Sequence, residues 1–181
     1  MNNEKKIITV SGRMGAGKDV IAEALKKSLE ARGQRVRIVH FGDLVKFSCK
    51  LFWDWDGVKD EQGRRLLQKV GTDIVRDEYD IYYWARYVCN MLEYSKDMWD
   101  VAIIPDLRFD NELMKLEWAF GPENVKHIRV VGMYQVTEWS DEAKAHKSEH
   151  AITGRKVPDV VIYNYKGEID GDSLLKDLYG E

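Results

Sequence analysis

Cysteine and proline are scarce in this chain, with two and three residues respectively. Cys49 and Cys89 are far apart and lack the paired spacing of a zinc site. Two thiols also make no disulfide framework, so both read as reduced core residues of a cytosolic protein. With few prolines and no Gly/Ser-rich stretch there is no linker, and the 181 residues read as one domain, large enough to bury a sizeable core. No apolar run is long enough to span a membrane. The first residues, Met-Asn-Asn-Glu-Lys-Lys, lead straight into a short strand with no signal peptide. Internal repeats are absent. Charge of one sign is absent too: 28 basic and 31 acidic residues give a net charge of −3, with no like-charged block. A nucleic-acid-binding module is more often basic, so the balance speaks against DNA or RNA as partner.

Glycine is concentrated at one informative place. Residues 12–18, Gly-Arg-Met-Gly-Ala-Gly-Lys, read G-x-x-x-x-G-K between the apolar run Ile7-Ile8-Thr9-Val10 and a helical pattern. Strand, glycine loop and helix N-terminus in that order are what a phosphate-cradling P-loop requires. The glycines let the backbone bend with its N–H groups turned toward phosphate oxygens. The helix adds its positive dipole end, and Lys18 reaches the terminal phosphates. Gly12, Arg13, Met14, Gly15, Ala16, Gly17 and Lys18 are therefore the expected phosphate-binding set. One residue is off pattern: Asp19 stands where Ser or Thr usually follows the lysine. The hydroxyl there normally ligates Mg²⁺. A carboxylate is also a hard oxygen ligand, directly or through water, and it is equally a first-turn acid that favours the helix dipole. The sequence leaves both open.

Periodicity predicts a strand over about 5–11 and a helix from Lys18 to Arg32, with Ile21, Leu25 and Leu29 on one stripe and Gly33 at its end. A second strand is expected from Arg35 to Phe41. Asp43 is placed to cap a helix carrying Leu44, Phe47 and Leu51. Residues 53–63 read as a loop. A helix from Arg64 to Val70 is interrupted by Gly71, and another runs from Asp80 to about Tyr94. Val101–Ile104 suits a strand buried on both faces. Further strands are expected at Lys126–Val131 and Asp159–Tyr163, and a helix at Asp172–Tyr179. Residues 132–157 are charged with little periodicity. Alternating strands and helices predict an α/β fold: three layers, with a mostly parallel five-stranded sheet flanked by helices and ligands at the carboxyl ends of the strands.

Asp106 ends the run Val101-Ala102-Ile103-Ile104-Pro105-Asp106. A P-loop enzyme needs a carboxylate at a strand end, to hold Mg²⁺ through water or to orient the attacking group. Pro105 is unusual in a strand because it donates no ladder hydrogen bond. Arg108 fits a phosphate contact at the same strand end, and Glu112 stands at ion-pair spacing from it. Lys46, Arg64, Arg65 and Arg76 form a second basic set between the P-loop and this strand, the interval that holds the acceptor in a P-loop kinase. Arginine grips a phosphate bidentately. Any one of them alone would read as a solvated helix face. Trp53, Trp55, Tyr82, Tyr83 and Trp84 lie in the same interval, as core or as faces for a nucleobase. His146, Ser148, Glu149 and His150 lie in a polar segment that, with Lys144, Lys147 and Arg155, reads as a lid over the phosphates rather than a zinc site.

The segment Arg64-Arg65-Leu66-Leu67-Gln68-Lys69-Val70-Gly71-Thr72-Asp73, followed by Tyr83-Trp84, resembles the R-R-L-x-Q-x-x-G-T-D segment of bacteriophage deoxynucleoside monophosphate kinases. Ile104-Pro105-Asp106-Leu107-Arg108-Phe109-Asp110-Asn111-Glu112 resembles that family's V-P-D-x-R-x-D-x-E, in which Pro105 is normal. Gly17-Lys18-Asp19, His146-Lys147-Ser148-Glu149 and the last strand, Asp159 to Asn164, resemble further elements in the same order. The resemblance implies an adenylate-kinase-like fold and transfer of the ATP γ-phosphoryl group to a dNMP with Mg²⁺. It implies that Lys46, Arg65, Gly71, Trp84, Asp106, Arg108 and Glu112 surround the acceptor, and that Asn164 lies near the ATP base. The chain departs from the family pattern at Val20, at Gly132, where that family has Arg, and in a shorter stretch between 52 and 63.

The expectation is thus a single P-loop kinase domain with an acceptor-binding insertion at about 42–97 and a lid-like segment at about 132–157. Lys18, Asp106 and Arg108 are the expected catalytic residues. Asn164 joins the P-loop on the ATP side, and Asp19 takes Mg²⁺. The dNMP set is Lys46, Arg64, Arg65, Gln68, Gly71, Thr72, Trp84, Asp106, Arg108 and Glu112. Small-molecule nucleotides are the expected partners, in the cytoplasm, with no nucleic acid and no membrane, and the aromatic content is compatible with a homodimer. A kinase for another phosphorylated acceptor is the main rival. A GTP-binding switch would need an N-K-x-D motif, and none exists here.

Overall fold

The computed structural model describes residues 4–132, 157–164 and 169–180. Five strands form one sheet: β1 (Lys6–Gly12), β2 (Val36–Ile38), β3 (Val101–Leu107), β4 (Val125–Gly132) and β5 (Val160–Asn164). Their order is β2-β3-β1-β4-β5, and every neighbouring pair is parallel. The helices are α1 (Lys18–Ala31), α2 (Gly42–Phe52), α3 (Glu61–Gln68), α4 (Tyr83–Tyr94), α5 (Asp110–Phe120) and α6 (Gly171–Tyr179).

Alternation along the strands sorts the core into two layers. Ile8, Val10, Val101, Ile103, Ile128 and Val130 face α1 and α6, packing on Ile21, Leu25, Leu174 and Leu178. Ile7, Ala102, Ile104 and Val125 face α4 and α5, packing on Val88, Leu92, Leu113 and Leu116. A third cluster, Val45, Cys49, Trp55, Val70 and Trp84, binds α2, α4 and the segment after α3 into a unit of their own. The chain leaves β1 toward one face of the sheet and β3 toward the other. The crevice between their carboxyl ends is where such sheets bind ligands.

Three local expectations change. Gly71 does not interrupt a helix: α3 runs on into a π-helical stretch, Lys69–Tyr79, whose wider winding is seen where Asp80 N–H donates to Val75 C=O, five residues back, at 2.8 Å. Glycine at 71 lets the stretch pack closely on α2, since a Cβ there would stand 3.2 Å from Val45 Cγ1. Asp43 does not cap α2. The helix starts at Gly42, and its inward face is Val45 and Cys49, while Phe47 and Leu51 are 60% and 58% exposed. The second strand is shorter than expected, because the chain turns at His40 to enter α2, with Asp43 N–H donating to His40 C=O.

Pro105 has a structural explanation. The β1–β3 register pairs Thr9 with Ile104 but Ser11 with Leu107, so Pro105 and Asp106 bulge opposite Val10. On its other side β2 has already ended at Ile38, opposite Ile103. No ladder donor is asked of the proline, and the bulge re-aims Asp106.

Candidate active site

The P-loop connects β1 to α1 at the carboxyl edge of the sheet. Gly12 has φ 152°, and a Cβ there would meet Val130 C=O at 2.5 Å, so no other residue fits between the loop and β4. Gly17, in the left-handed region, turns the chain into α1, and as the N-cap residue it brings no side chain to that end. A helix N-terminus entered through a glycine loop is the geometry that favours an anion. Lys18 Nζ lies across the loop and donates to the carbonyls of Gly12 (2.7 Å) and Arg13 (3.0 Å). Asn164, at the end of β5, is buried and donates from Nδ2 to Ala16 C=O at 2.9 Å, so β5 braces the loop. Gly132, at the end of β4, packs on the same residue: a Cβ would come within 3.1 Å of Ala16 Cα. Arg64 reaches the loop from α3, with Nη1 3.7 Å from Met14 Sδ. Burial draws this guanidinium below its ordinary pKa, and Asp60 opposes the shift.

Acidic and basic side chains alternate from the P-loop toward α2. Asp19 is 86% exposed, and its Oδ1 lies 3.7 Å from His40 Nε2. His40 Nδ1 lies 3.5 Å from Asp43 Oδ2, and Lys46 Nζ donates to Asp43 Oδ1 at 2.8 Å. Partial burial pushes the Asp43 carboxyl up, but Lys46 and His40 outweigh it and hold it below its usual value. Asp106, across the crevice, caps α2 in place of Asp43. Its Oδ1 accepts from Phe41 N–H and its Oδ2 from Gly42 N–H, both at 2.9 Å.

The π-helical stretch and the turn from β3 into α5 make the other wall. Gly71 C=O accepts from Trp84 Nε1 at 2.7 Å. Trp84 is 7% exposed, so it is a pillar of the third core with little free face, and Thr72, next to Gly71 in the chain, is buried. Gln68 is half-buried. Arg65 ion-pairs with Glu61 on the exposed side of α3 at 2.9 Å. Glu112 is fully enclosed, and its Oε2 accepts from the backbone N–H groups of Arg108 (2.8 Å) and Phe109 (3.0 Å), capping α5. Burial pushes this carboxyl up to about 7, and the Asp106 charge adds to the shift. The two backbone donors and Arg76 pull the other way. Arg76 Cζ stands 3.5 Å from the centre of the Phe109 ring.

The structure thus gathers Gly12–Asp19, Arg64, Lys46, Asp106, Arg108, Glu112 and Asn164 at one edge of the sheet, and packs Gly71, Thr72 and Trp84 behind the wall that the π-helical stretch makes. His146, Ser148, Glu149, His150, Lys144, Lys147 and Arg155 lie outside the described residues. His40 and Phe109 escaped the sequence reading. The signal for His40 is its place just past the end of β2, and for Phe109 its place at the N-cap of α5. Among the described residues no three His, Cys, Asp or Glu side chains converge as a metal cage. Mg²⁺ needs none, because it keeps several waters and takes one or two carboxylates plus phosphate oxygens. The exposed carboxylate of Asp19 at the P-loop fits that requirement. Among the described residues no helix is long and apolar enough to cross a membrane.

A family model for deoxynucleotide monophosphate kinase matches residues 56–172. A phosphomevalonate kinase of Drosophila melanogaster is 29% identical over 133 residues, 69% of this chain and 67% of that protein. The deoxynucleotide monophosphate kinase of Enterobacteria phage T4 is 35% identical over 51 residues, 28% of this chain and 21% of the phage protein, so the chain matches only a fifth of that relative's length. Among solved structures, an APS kinase of Mycobacterium tuberculosis superposes with TM-score 0.55 at 11% identity, covering 98% of this chain and 99% of the other. The same kinase in complex with AMPPNP and APS gives 0.54 at 10% identity, covering 97% and 98%. These likenesses establish the three-layer kinase fold.

Proposed function

The chain belongs to the deoxynucleotide monophosphate kinase family, and from that premise we propose that it transfers the γ-phosphoryl group of ATP to a deoxynucleoside 5′-monophosphate, giving ADP and a dNDP. At the coarser level it is a P-loop kinase, a phosphotransferase. The observation that carries the finer reading is the division of the evidence along the chain. The family match covers residues 56–172 and leaves out the P-loop at 12–18. Donor motif and acceptor-side likeness are therefore independent, and the fold brings them to one crevice.

In this reading the chain is one kinase domain, with an acceptor insertion at about 42–97 and a lid at about 132–157. Phosphoryl transfer asks for alignment and charge neutralisation rather than covalent chemistry by the protein. The loop amides of residues 13–18 and the Lys18 ammonium hold the β- and γ-phosphates, with Asn164 fixing the loop from below. An acceptor phosphate oxygen attacks the γ-phosphorus in line, the bond to the β–γ bridging oxygen breaks, and ADP leaves. Lys46, Arg64, Arg65 and Arg108 are the cations available for the acceptor phosphate. Gln68, Gly71, Thr72, Trp84 and Glu112 shape the acceptor side. Asp106 sets α2, and hence Lys46, against the P-loop. Mg²⁺ would be held by Asp19, directly or through water, and would supply charge neutralisation at the phosphates. Each oxygen of Asp106 accepts one backbone amide, and a carboxylate so held keeps lone pairs for a metal-bound water.

The Drosophila relative supports a second reading, a kinase for a different small phosphorylated acceptor such as phosphomevalonate. One experiment separates the two: ADP formation from ATP and Mg²⁺ with each dNMP, each NMP, 5-hydroxymethyl-dCMP and phosphomevalonate in turn. Turnover that depends on one or more dNMPs, dTMP and dGMP among them, is expected. Turnover with phosphomevalonate alone would replace the dNMP reading, and ADP release independent of every acceptor would sink both.

A further inference from the structure

Arg76 is the least surface-like cation of the acceptor wall. Its side chain is 15% exposed, although it lies on a stretch whose outer face is polar. Three contacts explain where it is held. The guanidinium lies over the Phe109 ring, with Cζ 3.5 Å from the ring centre. Nη1 donates to Ile81 C=O at 3.2 Å, the same carbonyl that accepts from Asn111 Nδ2 at 2.5 Å. Nε lies 4.0 Å from Asp77 Oδ1. Phe109 and Asn111 belong to the start of α5, and Ile81 to the link into α4. One side chain therefore ties the π-helical stretch to the turn that carries Arg108 and Glu112. An ordinary α-helical winding would carry the residue at 76 to a different angle, and π-helical insertions recur at functional sites for this reason.

Electrostatics points the same way. An arginine cannot be deprotonated in a protein, so its burial needs a counter-charge. Burial lowers the Arg76 pKa, and the charges of Glu112 and Tyr82 oppose that shift. Reciprocally, Glu112 is pushed up by burial and by Asp106, and is drawn back by the amides of Arg108 and Phe109 and by Arg76. Asp77, 4.0 Å from Arg76 Nε, is a further charge beside the guanidinium.

We infer that Arg76 is a positioning residue for the acceptor: clamped flat on Phe109 and bonded to Ile81 C=O, it fixes the turn bearing Arg108 and Glu112, and its charge bears on the enclosed Glu112. This rests on the acceptor reading above, in which Arg108 and Glu112 face the nucleotide. Arg76 touches neither the donor nor the reacting atoms, so its loss is felt by one substrate.

The test compares Arg76→Gln, which keeps a donor for Ile81 C=O but loses the charge, with Arg76→Lys, which keeps the charge. Two readouts are needed: carbon-13 NMR titration of the Glu112 carboxyl in the ligand-free protein, and steady-state kinetics with each substrate varied. In Arg76→Gln the Glu112 midpoint should rise by about one pH unit. At pH 7.5 kcat/KM for the dNMP should fall about tenfold, with KM for ATP within about twofold. The acidic limb of the dNMP profile should move up with the carboxyl midpoint. Arg76→Lys should restore the midpoint and much of the dNMP term. An unmoved Glu112 midpoint in Arg76→Gln overturns the inference, as do dNMP and ATP terms that fall in step, the mark of a merely structural role. Should only Arg76→Lys fold, a Glu112 midpoint raised as far as a lost charge predicts would equally overturn it. A normal carboxyl response in a protein that phosphorylates no deoxynucleotide would remove the acceptor reading, and the positioning role with it, while leaving the electrostatic coupling of Arg76 to Glu112 supported.

Discussion

Replacing Asp106 with asparagine separates two roles that a strand-end carboxylate in a P-loop enzyme can have. Each oxygen accepts one amide of the α2 entrance, from Phe41 and from Gly42, at 2.9 Å. Asparagine has the same shape but one acceptor oxygen, and its NH₂ would face a backbone N–H. One charge-assisted hydrogen bond is lost and the other becomes neutral, a loss of about 1.5–3 kcal/mol. The negative charge at the α2 N-terminus goes as well, worth about 0.3–1 kcal/mol. Asp106→Asn should therefore destabilise the ligand-free protein by about 2–4 kcal/mol, a fall in Tm of roughly 5–15 °C for a chain of this size. Urea unfolding of both proteins, with the midpoint and slope fitted together, measures it. A carboxylate kept only for catalysis behaves otherwise, since its removal commonly leaves stability unchanged or raised. A variant within about 0.5 kcal/mol of the parent but devoid of activity would refute the capping argument and return Asp106 to a purely chemical role.

Lys18→Ala should abolish phosphoryl transfer while leaving the unfolding midpoint nearly unchanged, because the ammonium donates to the carbonyls of its own loop, at 2.7 and 3.0 Å, and its loss removes no core packing; a variant that keeps most of its kcat would sink the P-loop assignment. Asp19→Asn should raise the Mg²⁺ concentration needed for half-maximal rate several-fold with little change in stability, since the side chain is largely exposed; an unchanged Mg²⁺ requirement would show that Asp19 serves only the helix dipole. Trp84→Phe removes the indole N–H from Gly71 C=O and leaves a buried acceptor, so it should cost about 1–3 kcal/mol and loosen dNMP binding more than ATP binding, as read by thermal shift and by KM for each substrate. Glu112 has its folded pKa raised to about 7 from an unfolded value near 4.3, so its contribution to stability is complete below about pH 4 and is lost as pH rises through 7. Glu112→Gln should therefore lose less stability than the parent between pH 5 and pH 8 while losing dNMP turnover, and equal pH slopes in the two proteins would contradict the buried carboxyl's assignment.

The donor half was legible because its chemistry is local. Glycine at 12, 15 and 17, with Lys18 between a strand and a helix, prescribes both the turn and the anion site, and the structure adds only which neighbours the loop leans on. The sheet was legible for a similar reason: continuous apolar runs such as Val101–Ile104 can be buried only between two layers. The acceptor half was less so. Leu66, Leu67 and Val70 announce a helix, but nothing in their spacing announces π winding, and the contacts this stretch makes, Gly71 against Val45 and its carbonyl with Trp84, come from elsewhere in the chain. The α2 cap was misread because its partner lies 65 positions on, at Asp106, while Asp43 next door is engaged by Lys46. Pairings of that range leave no trace in local pattern.

The two edges of the sheet are built on opposite principles, and the contrast bears on where the chemistry lies. At the amino edge, just before β3, Asp100 accepts from the Arg35 backbone N–H (3.0 Å), Nε (2.9 Å) and Nη2 (2.7 Å), with Lys5 Nζ at 3.6 Å. Hydrogen bonds from Arg35 hold that carboxyl well below the usual carboxylate range, so its charge is fully answered and it stabilises the ionised fold at neutral pH. At the carboxyl edge the opposite holds. Glu112 is buried where ionisation is disfavoured, beside Asp106. Arg76 is sunk against an aromatic ring, the helix after α3 is π-wound, and α1 opens on a glycine in the left-handed region. Enclosing Glu112 and Arg76 costs solvation, and both lie near the carboxyl end of β3. Local cost gathered at one edge, with a fully satisfied ion cluster at the other, is the pattern expected where strain is retained for binding and catalysis. It agrees with the proposed site in the β1–β3 crevice on grounds that owe nothing to motif or family.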